Sequence, residues 1–187
     1  MPRKKTILEA NLLEAARSVF AAKGFGAPVK EIARRARVSE GVLFQRYRTK
    51  ADLFFAAMAP PPFELKEQLK AAGGPDGFLE ALEKLSATML DYFRDAAPVL
   101  APLMSHPDFR FEDFARNHPD SGLVSLRREL MTFFEANHAP DPPAAALLLM
   151  ASLHGLAMFE RLGAHEGRIP QVFVDRMILT VWKGVQP

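Results

Sequence analysis

Cysteine is absent from the 187 residues, which excludes disulfides and thiol catalysis. The short patterns that carry enzyme chemistry are also missing. There is no glycine-rich loop to cradle phosphates, no His-Glu-x-x-His pair and no serine on a nucleophile elbow. No enzyme, cofactor or metal site is therefore expected. Two pieces, His106-Pro107-Asp108 and His118-Pro119-Asp120, offer metal-ligand types but read as solvated turns. No segment repeats, and none alternates with the period of a strand. The longest apolar run, Ala144 to Phe159, is broken by Ser152 and His154 and falls short of a membrane span. The N-terminal MPRKKTILEANLLEAA is basic but lacks the apolar core and cleavage site of a signal peptide. A cytoplasmic protein with no membrane partner is expected.

Net charge is small too, at +2, but the average hides a segregation. Residues 1–50 carry 12 Lys/Arg against 4 Asp/Glu, and residues 51–187 carry 12 against 18, which gives +8 and −6. A basic module on an acidic body is the footprint of a nucleic-acid binder.

What is present is helical periodicity. A first helix is predicted from about Thr6 to Ala22, preceded by a mobile basic arm, Pro2 to Lys5. Its stripe is Leu8, Leu12, Ala15, Ala16, Val19 and Phe20, three and four apart. Gly24 supplies the left-handed residue that ends it. A second helix is predicted over Pro28–Ala36, with Ile32, Ala33 and Ala36 on one face. Arg37-Val38 makes a turn, and Ser39 caps a third helix that runs to about Tyr47. Val38, Leu43 and Tyr47 face inward. Glu40, Gly41, Val42, Phe44, Gln45 and Arg46 are left on the other sides, a surface suited to a major groove. Thr49 caps a fourth helix opening at Lys50, with Leu53, Phe54, Ala57 and Met58 inward, and Pro60-Pro61-Pro62 stops it.

The stretches ILEANLLEAARSVFAAKGF and VKEIARRARVSEGVLFQRYRTKADLF resemble the DNA-binding domain of the TetR (tetracycline repressor) family. The matching positions are Lys23-Gly24-Phe25, Ile32-Ala33, Val38-Ser39, Gly41, Phe44, Tyr47 and Lys50. Two positions depart from the family pattern. Arg37 stands where the turn commonly has glycine, and Phe44 where many relatives have a tyrosine whose hydroxyl bonds a phosphate.

Positioning and readout separate on this surface. Lys50, beside the N–H groups of the fourth helix, is a phosphate clamp, and the resemblance implies the same role. Arg46 and Arg48 are further phosphate candidates, and Lys30 can reach a phosphate or a guanine edge. Gly41 permits close backbone approach, Val42 can touch a thymine methyl, Gln45 can pair with adenine and Glu40 can accept from cytosine. Arg37, Ser39, Phe44 and Tyr47 complete the set of DNA-facing candidates.

Beyond the fourth helix the chain reads all-helical: Phe63–Ala72, Asp76–Asp95, a short Pro98–Met104, Gly122–Asn137, a helix from Asp141-Pro142-Pro143 to Leu162, and Gln171–Gly184. Ser105 to Ser121 reads as a loop. The expected fold is all-α. A three-helix helix-turn-helix DNA-binding domain spans residues 1–50, and a helical effector-binding and dimerisation domain spans 51–187. The helix holding Ala144–Phe159 is apolar nearly all round, so it must be covered on both sides. The resemblance implies dimerisation through the last two long helices, with Leu148, Ser152, Leu156, Phe159, Phe173, Met177 and Val181 as interface candidates.

Fifteen phenylalanines and eight methionines suit an adaptable apolar pocket, and relatives carry an effector cavity in the body. Met58, Met89, Phe93, Met104, Phe109, Phe134, Met150, His154 and Met158 are the ligand candidates. An apolar effector, fatty-acyl or aromatic, is expected. The function read from these features is a homodimeric repressor on a palindromic DNA operator, released by that effector. A ligand-independent architectural or partner-regulated DNA-binding protein is the alternative.

Overall fold

A computed structural model of the chain describes residues 3–63, 74–164 and 166–185. Among them are nine α-helices and no strand. The chain divides into two compact units, Met1–Pro60 with Pro98–Pro119, and Pro61–Ala97 with Asp120–Pro187.

In the first unit, α1 (Arg3–Lys23), α2 (Val29–Ala36), α3 (Glu40–Arg46) and α4 (Lys50–Met58) follow in order. Helix α1 begins at Arg3, so the expected basic arm is helical from that residue onward. The capping residues explain the boundaries. Gly24, at φ 69°, ends α1, and its N–H donates to the Phe20 carbonyl at 2.8 Å. Pro28 is the N-cap of α2 rather than its first residue. Thr49 and Asp52 form a reciprocal capping box at the start of α4. The core gathers Leu12, Ala16 and Phe20 with Ile32, Leu43, Leu53 and Phe54, all within 2 % of full burial. Phe20 meets Phe54 edge-on at 5.1 Å. At the other end of α4, Arg17 donates to the carbonyls of Ala57 (2.8 Å) and Ala59 (3.2 Å). Those acceptors have no partner within their own helix.

In the second unit, α7 (Gly122–Ala136) packs on α8 (Pro142–Arg161), and α8 contacts α9 (Gln171–Val185). Asp141 caps α8 by accepting from the Ala144 N–H at 3.0 Å. The core includes Leu82, Leu85, Met89, Phe93, Leu126, Phe133, Phe134, Leu149, Leu153 and Ile178. One polar staple crosses it. Arg94 makes a two-pronged pair with Glu160 at 2.8 and 2.7 Å, and Glu160 also accepts from the Ile169 N–H at 2.7 Å. The pair holds the Glu160 carboxyl below its ordinary range and the Arg94 guanidinium above its own.

Several predicted boundaries are corrected. Asp76–Asp95 and Pro98–Met104 are one helix, α5 (Gly74–Met104), with Pro98 and Pro102 inside it. Each proline removes an N–H and costs about 3 kcal/mol in a helix interior. Burial of Ala96, Ala97, Val99, Leu100 and Leu103 across the same turns opposes that cost. Helix α5 opens at Gly74, with Pro75 in its first turn. The expected loop Ser105–Ser121 contains α6 (Phe111–Asn117), which buries Phe114. Past Phe63, the helical run expected over Phe63–Ala72 lies outside the described residues. Helix α8 is long and apolar enough to cross a membrane by length and composition, with a mean hydropathy of 1.5 over its most apolar window, more than the Ala144–Phe159 run suggests. The core helix of a soluble protein meets the same measure, and six α8 residues are buried in the chain.

Candidate nucleic-acid interface

The candidate surface is built on α3 and the corners at its two ends. At the first corner, Arg37 adopts the left-handed conformation, φ 56° and ψ 41°. Its N–H donates to the Arg34 carbonyl at 3.3 Å, and the Val38 N–H donates to Ala33 at 3.0 Å. A non-glycine residue there carries about 1–2 kcal/mol of strain, but its side chain is exposed. Ser39 then caps α3, its hydroxyl accepting from the Val42 N–H at 3.3 Å.

Along α3, Leu43 is buried while Glu40, Gly41, Phe44 and Gln45 are exposed and Val42 is half-buried. Phe44 leaves 47 % of its surface in water. An aromatic ring on a seven-residue helix, with no partner ring recorded for it, is an unusual thing to leave uncovered. Lys30, Arg37, Ser39 and Arg48 are exposed around this face.

At the second corner the cations are held. Lys50 sits with its Nζ 4.9 Å from the centroid of the Phe25 ring. Glu9 of α1 braces the end of α3: one carboxylate oxygen lies 3.4 Å from the Arg46 guanidinium, and the other accepts from the Tyr47 hydroxyl at 3.4 Å. Arg46 is therefore engaged within the chain. Burial, with the Glu9 charge beside it, pushes the Tyr47 phenol up to about 12. Sequence reasoning missed Glu9 and placed Phe25 only as a motif position, because neither contact is local. Across the turn, Lys23 and Glu31 pair at 2.6 Å, and the lysine holds the Glu31 carboxyl below its ordinary value.

The ligand candidates do not fall in one unit. Met58, Met104 and Phe109 lie in the first and the other six in the second. Met104 is exposed. In the second unit, Met89, Phe93 and Phe134 are fully buried, and Met150, His154 and Met158 are half-buried. His154 lies edge-on to Phe93 at 5.4 Å. Its Nε2 has no hydrogen-bond partner among the described residues, and burial lowers its pKa.

Of the interface candidates, Leu148, Phe159 and Phe173 are exposed, and Ser152 and Met177 are half-buried. Leu156 is buried within its own chain. The side chain of Val181 lies outside the described ones. Leu148, Ser152, Phe173 and Met177 line one groove of about 540 Å³ with Arg176 and Thr180.

His106, read as a turn residue, is buried among the Phe25, Phe54 and Phe55 rings, with centroids 4.4, 5.2 and 5.0 Å away. Its Nδ1 accepts from the Asp108 N–H at 3.1 Å.

The sequence signature of the bacterial regulatory proteins, tetR family, matches residues 12–57, the segment that runs from the α1 core through the whole of α2 and α3 to α4. This N-terminal segment is similar to the DNA-binding part of the TetR family. Its members are DNA-binding helix-turn-helix transcription regulators rather than enzymes, and repression and ligand binding are typical of them. No curated protein matches the chain. Solved structures of the same fold span nearly its whole length. The FadR fatty acid degradation regulator from Bacillus halodurans is 15% identical with a TM-score of 0.60, over 95% of this chain and 100% of that one. NalD, the secondary repressor of the MexAB-OprM multidrug efflux pump in Pseudomonas aeruginosa, is 19% identical with a TM-score of 0.58, over 98% of both. A TetR-family regulator from Streptomyces coelicolor is 21% identical with a TM-score of 0.54, over 95% and 94%. In the TetR frame, the α2–α3 pair is the helix-turn-helix and α3 its second helix.

Proposed function

We propose that this chain is a TetR-type regulator, a homodimeric repressor that places two copies of α3 in successive major grooves of a palindromic operator. Successive half-sites would lie one helical turn, roughly 34–36 Å, apart. Residues 1–50 act as the DNA-binding head and residues 51–187 as the effector-binding and dimerisation body. The observation that carries the reading is the exposed face of α3, where Glu40, Gly41, Phe44 and Gln45 stand uncovered on a helix fixed by Leu43 beneath it. Gln45 and Val42 read bases. Lys50, Lys30 and Arg48 contact phosphates, and Arg37 adds charge from the turn. Arg46, held by Glu9, contributes less than its exposure in sequence suggests.

Dimerisation is assigned to α8 and α9, whose exposed Leu148, Phe159 and Phe173 form an apolar surface of the kind that marks an interface. A small apolar effector is assigned to the second unit beside Phe93 and His154, where the unpartnered Nε2 can meet a ligand's polar end. That relatives of the same fold include a fatty acid degradation regulator and a repressor of a multidrug efflux pump supports an apolar compound. The effector would weaken DNA binding by its preference for the splayed dimer.

Two substitutions test the division of labour. Lys50→Ala should weaken binding to every duplex alike and flatten the dependence of affinity on salt by about one unit of slope. Gln45→Ala should cost about 1–3 kcal/mol on the preferred duplex and relax preference at one base position. Binding titrations at several salt concentrations on matched and altered duplexes read both. Equal losses on all duplexes for the two variants would remove α3 as the reading helix.

A further inference from the structure

The first unit holds a cavity of its own, apart from the second unit, where the effector is assigned beside Phe93 and His154. It is about 360 Å³, within the range of small-molecule sites, and lies between α4 and the segment from Asp108 through α6. Its apolar wall is aromatic. Phe109 lies 6.4 Å from Phe55 and 5.5 Å from Phe114, centroid to centroid, and all three rings line the space.

The rest of the wall carries a charge excess of one sign. Asp52, Asp108 and Asp113 line the cavity against one lining cation, Arg110. Asp113 also pairs with Arg116 at 3.1 Å, and Asp52 accepts from the Thr49 N–H at 3.0 Å, which leaves Asp108 as the carboxylate with the least engaged charge. The Arg110 guanidinium is turned to the backbone, donating to the carbonyls of Pro107 (3.0 Å) and Phe109 (2.8 Å), and among the described residues it pairs with none of the three. His118 also lines the space, and burial lowers its pKa, which keeps it from adding positive charge at neutral pH. No group of three or more His, Asp or Glu among the described residues converges as a metal site would. The charge is spread around the wall. A compact metal ion wants the opposite, whereas a bulky cation with diffuse charge suits both features here: an aromatic wall and surrounding carboxylates.

We propose that this cavity is a binding site for a small organic cation, an aromatic-bearing quaternary or protonated amine. The ligand's positive centre lies over Phe109 and its neighbours, and Asp108, with Asp52 and the Arg116-paired Asp113 around it, supplies the field. Such a ligand would touch Tyr47, the C-cap of α3, and Asp52, which caps α4, since both line the same space.

The probe is benzyltrimethylammonium, titrated calorimetrically into the full-length protein, with benzyl alcohol as the uncharged control and benzoate as the anionic one. The cation should bind about 10-fold or more tighter than either control, and its affinity should fall as salt is raised. Asp108→Asn with Asp113→Asn, both exposed positions, should weaken the cation at least about 5-fold while leaving thermal unfolding unchanged. Phe109→Ala should do the same to affinity. Binding of the cation no tighter than benzyl alcohol, or cation binding untouched by the paired asparagines or by the loss of Phe109, would overturn the proposal.

Discussion

Single residues in the helix-turn-helix are fixed by partners far away in the chain. Tyr47 shows this best. Its hydroxyl donates to Glu9 at 3.4 Å, and burial is the first cause of a phenol raised from 10.0 to about 12. The unfolded chain would release that proton near 10, the folded one two units later. Stability from this residue is therefore full below pH 10 and is lost as pH rises toward 12. The other tyrosine, Tyr92, is raised by burial as well. A phenolate absorbance titration of the folded protein should thus show no ionisation near pH 10. Glu9→Gln should lower the Tyr47 transition and leave that of Tyr92 in place. A Tyr47 transition that Glu9→Gln leaves unmoved would contradict the Glu9 brace. The same long-range logic explains why Arg46 and Lys50 look alike in sequence and differ in structure. One meets a carboxylate and the other a phenylalanine ring, and neither partner is within a helical turn.

Elements were legible where local signals agreed with packing. Four caps or stops in the helix-turn-helix region, at Gly24, Ser39, Thr49 and the prolines after Met58, mark ends that the structure keeps. The apolar stripe of α1 ends up as core, so Phe20→Ala, which removes a fully buried ring packed on Phe54, should cost about 3–5 kcal/mol in urea unfolding. A loss below about 1 kcal/mol would mean that α1 and α4 do not pack this way. Two signals misled. Pro98 and Pro102 read as a break but lie inside α5, because propensity is a weak prior against the burial of Val99, Leu100 and Leu103. Helix α6 is seven residues long, and its N-cap Arg110 makes no side-chain cap. Only the Phe111–Phe114 spacing hinted at it. His106 does lie in the turn that Pro107 and Asp108 suggest, but it is buried rather than solvated. The three phenylalanine rings that enclose it come from elsewhere in the chain. The candidate DNA surface was legible because helix-turn-helix residues are sequence-local. The cavity lined by Phe55, Phe109 and Asp108 was not, since it needs α4 and the α6 region brought together.

At the scale of the molecule, the excess of +8 over residues 1–50 and of −6 over the remainder divides the work. A basic part of this kind would attract a phosphate backbone, and an acidic remainder would be repelled from it. Exposed Leu148, Phe159 and Phe173 on α8 and α9 call for a partner, and a two-fold dimer would give the DNA two copies of α3. A two-fold protein asks for a two-fold site. The measurement that tests this most directly is selection of bound sequences from a pool of random double-stranded DNA by the purified full-length protein, at stated salt. The account predicts recovery of a palindrome whose half-sites lie about one helical turn apart. Salt-dependent binding that enriches no shared sequence would contradict it and favour an architectural DNA-binding protein.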